Sequence, residues 1–308
     1  MLDPETFLTE LYVAADDFCK AHLPAAPHPG PTASLTVGEV VTLAVYGQWA
    51  RFPSEAAFYR HACKRLRPLF PTLPSRSQFN RLVRRCGAAI TAFALHLGRD
   101  VATHDHAYEV VDGTGLVTRN AKRRGAGWLA GLADIGWCTR LGWYEGVRLL
   151  ASVTPGGAIT GWGIGPASSN DRTLAETFFA VRADPDPRLP SAGRPVSACY
   201  VTDMGFSGKR CQARWAENYG AHVVCPPQTG SKRAWRKPLR TWLAGIRQVI
   251  EAVNDRLLFV CGLDRERPHD LSGLLARLAA AVGLHNFCCR LNRRLGRGDL
   301  EFADLIDW

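Results

Sequence analysis

Short strand-like runs alternate with amphipathic helical runs from residue 106 onward, and no other feature of the sequence restricts the fold as much. The stretch 107–118 and two runs on either side of the turn 155–157 predict three strands. A helix, a strand, a helix, a strand and a long helix from about 238 to 258 follow. The predicted order β-β-β-α-β-α-β-α indicates an α/β protein, in which helices pack on a mixed sheet.

The first hundred residues have a different pattern, because helical periodicity and capping residues extend over 1–22 and 35–100. We therefore predict an all-helical region over 1–103, followed by the α/β domain over 104–308, which ends in further helices. A Pro-rich segment separates the first two helices.

Positive charge is concentrated in the second half of this helical region. Ten Lys or Arg residues and only two acidic residues lie between positions 51 and 100. A helix, a proline turn and a second basic helix follow one another there, as in a helix-turn-helix reader of DNA. An ordinary helical bundle with a solvated basic face fits the same pattern. The candidate DNA-binding residues of this region are Arg76, Arg81, Arg84 and Arg85.

The charge of the whole chain also indicates a nucleic-acid partner. The formal net charge is +10 and the pI is about 9.3, and most of the cations are arginines, which form forked hydrogen bonds with phosphate.

The start of the chain lacks the pattern of a secretory signal, and no stretch approaches the roughly 18 apolar residues of a membrane span. The ten cysteines form no C-x-x-C pair, so we expect free thiols. We expect a cytoplasmic protein that associates with the nucleoid and not with a membrane.

Three acidic residues are candidates for chemistry. Asp112 and Asp203 each follow a predicted strand, and Asp112-Gly113 and Asp203-Met204-Gly205 place a glycine close by. Side chains at the carboxyl ends of such strands line the crevice in which α/β proteins bind ligands. Glu251 lies one helical turn after Arg247, at the border of an apolar helix face. Alternatively, the two aspartates belong to a turn and a helix cap, and Arg247 and Glu251 form a surface ion pair.

These three blocks together resemble a known family. Asp112-Gly113-Thr114, the stretch VTDMGFSG around Asp203, and the Arg-x-x-x-Glu pattern at 247 and 251 are similar to the catalytic blocks of bacterial insertion-sequence DDE transposases. The resemblance covers roughly 106–290. It includes the Tyr-x-Gly-x-Arg pattern of residues 144–148 and the stretch SNDRTL at 169–174. The family's last block often begins with a Tyr and is followed by a Lys, where this chain has Ala244 and Leu258.

The resemblance implies an RNase H-like domain and a specific activity. Asp112, Asp203 and Glu251 are then the catalytic residues and bind two Mg²⁺ or Mn²⁺ ions, with Asp112 bridging them, and Arg247 orients Glu251 or contacts a phosphate. The enzyme cuts DNA at terminal inverted repeats and joins the ends to target DNA, as a homodimer on double-stranded DNA. Two alternatives stay open: a nuclease of the same fold without strand transfer, and a non-catalytic DNA-binding regulator derived from a transposase.

Two further basic segments are candidates for DNA contact, and for each the alternative is a solvated charged loop. Their residues are Lys122, Arg123 and Arg124 in the first segment, and Lys232, Arg233, Trp235, Arg236, Lys237 and Arg240 in the second. Trp137, Trp143 and Trp162 are expected to pack in the core or on a strand face.

Overall fold

The computed structural model describes residues 1–24, 33–49, 51–102, 107–120, 122–186, 189–228, 230–231 and 234–308. The helices are α1 (Pro4–His22), α2 (Val37–Tyr46), α3 (Glu55–His61), α4 (Arg76–Arg85), α5 (Gly87–Ala102), α6 (Asp171–Ala183), α7 (Lys209–Tyr219), α8 (Lys237–Asp255) and α9 (Leu271–Arg294). The strands are β1 (Glu109–Val117), β2 (Asp134–Cys138), β3 (Gly142–Val153), β4 (Ile159–Pro166), β5 (Cys199–Val201) and β6 (His222–Val224).

The N-terminal helices begin at the predicted capping residues. Thr36 and Glu39 form a reciprocal capping box at the start of α2. The Ser54 hydroxyl accepts a hydrogen bond from Ala57 N at the start of α3, and Ser75 caps α4. The predicted helical character of this region is thus confirmed.

The six strands form one mixed sheet in the order β2-β3-β1-β5-β6, and β4 also pairs with β3. β1 runs antiparallel to β3 and parallel to β5, and β5 runs parallel to β6. The mixed α/β character is therefore as predicted. One strand is added, because a three-residue turn and Gly142, with φ of 65°, fold β2 back onto the first part of β3. The observed order of the elements from β1 to α8 is β-β-β-β-α-β-α-β-α.

Helices cover both faces of the sheet. On one face, Val111 and Leu150 pack against Phe178 and Trp215 of α6 and α7. On the other face, apolar residues of β1, β3 and β4 form a single hydrophobic cluster with α8, α9 and the N-terminal helices. The helical region and the sheet therefore share one core, and the division of the chain at residue 103 stays a prediction. All ten cysteines are free thiols, as expected.

The interior of this core contains α9, most of whose residues are buried. By length and hydropathy it is the one helix among the described residues that is able to cross a membrane, and 72% of its most apolar window is buried inside the molecule. A helix that is buried in a protein core passes the same test of length and hydropathy, so this finding does not contradict the expectation of a protein that does not associate with a membrane. In this fold the helix packs against α5 and α2.

A buried ion pair fixes β1 to the helix layer. Arg182 of α6 donates a hydrogen bond to Glu109 Oε1 at 2.9 Å, and both side chains are almost fully buried. Ser152 Oγ and the Val196 amide donate to the same carboxylate at 2.8 and 3.0 Å. The Glu109 charge is compensated on several sides, so the start of β1 is held in a defined position.

Candidate active site

Asp112 and Asp203 lie side by side where two parallel strands separate. The pairing of β1 with β5 ends at Val110 and Val201, and each aspartate lies two residues further on. β1 continues beyond Asp112 to Val117 along β3, as the predicted strand 107–118 requires, so Asp112 lies within β1 and not at its end. Asp203 accepts a hydrogen bond from Gly205 N at 2.8 Å and caps a short 3₁₀ turn. Asp203 therefore caps this turn and not helix α7, whose N-cap is Gly208, and it also lies near Asp112.

Helix α8 brings a cation and a third acid to this place. Arg247 Nη2 donates a hydrogen bond to Asp112 Oδ2 at 3.1 Å and lies 4.0 Å from Glu251 Oε1. Arg247 is therefore a closer partner of Asp112 than of Glu251, whereas the sequence pattern paired it with Glu251. The Glu251 side chain is more than half exposed and projects from the helix at the mouth of the site.

A cavity of about 520 Å³ is lined by all three predicted acids. Asp112, Asp203, Arg247 and Glu251 form part of its wall, although they come from distant parts of the sequence. The four residues that the sequence patterns single out are therefore brought together. Their assignment as a catalytic site stays a prediction.

The cavity makes the ionisation of Asp112 unfavourable. Burial raises the pKa of Asp112 from 3.8 to about 6, the Arg247 guanidinium opposes this shift, and the negative charge of Asp203 adds to it. A buried carboxyl group with a raised pKa, next to a second acid in a cavity, marks this place as a candidate functional site. A divalent cation would remove the repulsion between the two carboxylates.

Asp171, at the start of α6, is a further acid of this cavity that the sequence did not single out. Its Oδ1 lies 2.8 Å from Arg148 Nη2. Burial raises the pKa of Asp171, Arg148 lowers it, and Asp203 raises it. The only sequence signal was the stretch SNDRTL, in which Asp171 also suits the first turn of a helix.

The Tyr-x-Gly-x-Arg pattern of β3 acquires a structural explanation. A Cβ atom at Gly115 would lie 2.7 Å from Tyr144 Cζ, so the tyrosine ring packs directly on the β1 backbone. A Cβ atom at Gly146 would lie 2.0 Å from Leu116 O. The pattern therefore allows β3 to approach β1 closely and places Arg148 beside the acids.

Oxygen donors dominate the acidic part of the cavity. The buried Asn254, one turn after Glu251, has its Oδ1 atom without a hydrogen-bond partner among the described residues, and a buried amide oxygen of this kind requires water or a ligand. In the part of the chain that the structure describes, no three His, Cys, Asp or Glu side chains are already arranged around a common point. Arg247 is instead the ionic partner of Asp112.

A second cavity, of about 950 Å³, joins several of the predicted DNA-binding residues. Arg76, Arg81 and Arg84 of α4 line it together with Arg123, which comes from the other basic segment. Among its described lining residues are seven arginines and two glutamates, so the cleft is positively charged. We call it the basic cleft. Arg85 is exposed on α4 and does not line it.

Ion pairs hold the walls of the basic cleft together. Arg277 of α9 pairs with Glu55 and with Glu266, at 2.8 and 2.7 Å. Arg84 pairs with Asp270 at 2.8 Å. These arginines have structural partners, whereas Arg81 is exposed.

The remaining predicted DNA contacts lie in several places. Lys122 and Arg124 are exposed, and Arg124 pairs with Glu145 at 2.8 Å. Trp235 is half-buried and packs against the main hydrophobic cluster, and its contact with DNA stays a prediction. Arg236, Lys237 and Arg240 are exposed around the start of α8. Lys232 and Arg233 lie outside the described residues.

The three predicted tryptophans differ in burial. Trp162 is fully buried, as predicted. Trp137 and Trp143 are 55% and 76% exposed, so they lie on a strand face, the second of the two predicted positions, and not in the core. They lie opposite each other on β2 and β3.

In comparisons with protein-family models, with curated proteins and with solved structures, nothing matches this chain.

Proposed function

We propose that this protein is a DNA transposase with an RNase H-like catalytic domain, which cuts the ends of its element and joins them to target DNA. The observation that carries the proposal is the convergence of Asp112, Asp203 and Glu251 on one cavity at the diverging ends of β1 and β5. The mixed sheet and the element order, which has one strand more than the resemblance implies, are consistent with this class.

The donor set of the cavity fits a hard divalent cation. Its acidic residues and the Asn254 amide supply oxygen atoms, which suit Mg²⁺ or Mn²⁺. Asp112, Asp203 and Glu251 would hold the metal ions through their carboxylates. Two such ions, when bound, stabilise both the attacking and the leaving oxygen of an in-line phosphoryl displacement.

The arginines of the cavity orient the acids and favour an anionic substrate. Arg247 holds Asp112 through a hydrogen bond of 3.1 Å, and Arg148 pairs with Asp171. Both guanidinium groups have a buried Nε without a hydrogen-bond partner among the described residues. A guanidinium binds phosphate oxygens through paired hydrogen bonds, so these groups suit the phosphodiester that the carboxylates would otherwise repel.

The exposed cations support contact with double-stranded DNA outside the cavity. Arg76 and Arg81 of the basic cleft and the exposed Lys122 in the loop after β1 would neutralise backbone phosphates. The substrates would be the terminal inverted repeats and the target duplex. Because an element has two ends, the active form on DNA would be a homodimer, and the enzyme would act on the nucleoid in the cytoplasm.

The experiment begins with the DNA that flanks the coding region, where short inverted repeats and a duplicated target site are expected. Oligonucleotides with these ends and a free 3′-hydroxyl are incubated with the full chain, Mg²⁺ and a supercoiled plasmid. The same reaction is run with Asp112→Asn, Asp203→Asn and Glu251→Gln. Glu217→Gln is the matched control, because this acid is exposed on α7, on the opposite face of the sheet.

Joined products that require Mg²⁺, are lost in all three cavity variants and persist in the control would support the proposal. Nicks without joined products would support the nuclease alternative instead. DNA binding by the wild-type chain without any reaction, or a reaction that Asp112→Asn leaves unchanged, would refute the catalytic proposal.

A further inference from the structure

The hairpin of β2 and β3 exposes a large apolar surface. Trp137 and Trp143 lie directly opposite each other across the two strands, and Ile135 lies two residues before Trp137 on the same side. Trp143 is 76% exposed, and the other two side chains are 55% and 59% exposed. We call these three residues the aromatic face. A contiguous exposed patch of this kind indicates a binding surface.

The opposite side of the hairpin is already in use for packing. A Cβ atom at Gly136 would lie 2.1 Å from Ala167 O, so the backbone of β2 rests directly on the segment after β4. Tyr144, the neighbour of Trp143, is buried over Gly115. The alternation of the strand therefore directs the tryptophans away from these contacts and leaves them accessible.

The aromatic face lies on the same side of the sheet as Asp112. The register pairs Asp112 with Ala151 of β3, and Trp143 is an even number of residues from Ala151. Side chains separated by an even number of positions point to the same face of a strand. Trp137 itself forms part of the wall of the carboxylate cavity. The aromatic surface and the acidic site are therefore continuous.

Several basic side chains lie near this surface. Arg124 and Arg119 both pair with Glu145, two residues after Trp143, at 2.8 and 3.4 Å. Arg140, in the turn of the hairpin, lines the carboxylate cavity. Lys122 is exposed in the same basic loop as Arg119 and Arg124. Aromatic rings next to cations are the combination with which proteins hold single-stranded nucleic acid, because the bases stack and the phosphates are neutralised.

We propose that the aromatic face stacks on unpaired bases of the DNA strand whose phosphate enters the carboxylate cavity. The inference rests on the proposed function, which it extends by assigning the position of the bases next to the reacting phosphodiester. Two exposed indole rings on a rigid hairpin accept any base, since every base has a planar face. The site therefore favours an unpaired strand over an intact duplex, without reading its sequence.

The test compares two DNA probes with the full chain in EDTA, so that no cleavage takes place. One probe is a blunt duplex, and the other carries a five-nucleotide single-stranded tail that contains 2-aminopurine. The variant is Trp137→Ala combined with Trp143→Ala, and because both side chains are exposed we expect it to fold. The control is Trp242→Ala, since Trp242 is 50% exposed on α8 but lies nine residues before Glu251, about 13 Å along the helix axis.

The double variant should bind the tailed probe at least about tenfold more weakly, which corresponds to about 1.4 kcal/mol. Its affinity for the blunt duplex should change less than about twofold, and the quenching of 2-aminopurine should be lost. Combined Trp137→Tyr and Trp143→Tyr substitutions should retain most of the preference for the tail. Equal losses on both probes, or no loss on either, would overturn the inference.

Sedimentation velocity distinguishes the competing occupant, a second copy of the chain. A double variant that associates less than the wild-type chain while its preference for the tail is unchanged would overturn the inference in favour of self-association.

The Asp112→Asn variant separates this inference from the proposed function. If Asp112→Asn abolishes the DNA reactions and the tryptophan substitutions leave tail binding unchanged, only the inference fails. If tail binding requires the tryptophans and Asp112→Asn changes no reaction, only the proposed function fails.

Discussion

Replacement of Asp112 by Asn should stabilise the metal-free protein at neutral pH while it removes the proposed activity. The pKa of Asp112 rises from 3.8 to about 6, mainly through burial. The difference corresponds to about 3 kcal/mol of unfavourable free energy when the folded protein holds the ionised carboxylate. Asparagine has nearly the same shape as the protonated acid, so it fits the cavity without this cost.

The sign of the effect fixes its pH dependence. Because the folded state binds the Asp112 proton more tightly than the unfolded state does, the stability that this group contributes is present below about pH 4. It is lost as the pH rises from about 4 to about 6. The free energy of unfolding of the Asn variant should therefore exceed that of the wild-type chain by about 3 kcal/mol at pH 8 and match it near pH 4.

Urea unfolding in EDTA at pH 4, 5, 6, 7 and 8 measures this difference. Asp17→Asn, at an exposed position of α1, is the matched control and should change the free energy of unfolding by less than about 0.5 kcal/mol at every pH. Mg²⁺ should reduce the advantage of the Asn variant, since it stabilises only the chain with the carboxylate. A variant that is less stable than the wild-type chain at pH 8 in EDTA would refute this reasoning.

Three further outcomes follow from the contacts of the structure. Glu109→Gln leaves the buried Arg182 without its counter-charge, so the free energy of unfolding in urea should fall by about 3–5 kcal/mol; a loss below about 1 kcal/mol would contradict this account of β1. Combined Arg81→Ala and Arg123→Ala substitutions should reduce the slope of log affinity against log salt concentration for duplex DNA by about 2. The reduction should be the same for DNA of unrelated sequence. An unchanged slope would exclude the basic cleft as a phosphate-binding surface. Asp171→Asn should raise the Mn²⁺ concentration for half-maximal cleavage by about 10- to 100-fold, as expected for a group that orients metal ligands. An unchanged Mn²⁺ concentration for half-maximal cleavage would assign Asp171 to packing alone.

The hydrophobic periodicity of the sequence was sufficient to predict most of the helices and strands, but not β2. The apolar run before the turn at 155–157 predicted one strand, and residues 134–138 were not assigned to any strand. The turn between β2 and β3 contains neither Gly nor Pro, and its one signal is Gly142, whose positive φ closes the turn. A short strand of this kind is determined by its pairing with β3.

The acids of the site were predictable because each one follows or interrupts a recognisable element. Asp171 was not, because its first-turn position on α6 explains it locally, and its pairing with Arg148 depends on how α6 crosses the sheet. The exposure of Trp137 and Trp143 could not be predicted from the sequence either. Alternation shows which side chains share a face, but not whether another layer covers that face.

The basic cleft could not be predicted from the sequence either. Arg81 and Arg123 belong to segments that the sequence treats as separate patches, and they meet because α4 and the loop after β1 line the same cavity with the segment before α9. Long-range packing of this kind leaves no periodic signal in either segment.

Binding of Mn²⁺ to the DNA-free protein tests the central claim most directly, because the claim is that three distant carboxylates form one site for divalent metal ions. Electron paramagnetic resonance during a Mn²⁺ titration measures the free and the bound ion in the wild-type chain, in Asp112→Asn, in Asp203→Asn, in Glu251→Gln and in the control Glu217→Gln. The account predicts weaker binding in each of the three cavity variants and unchanged binding in the control. Wild-type affinity in any one of the three would contradict it.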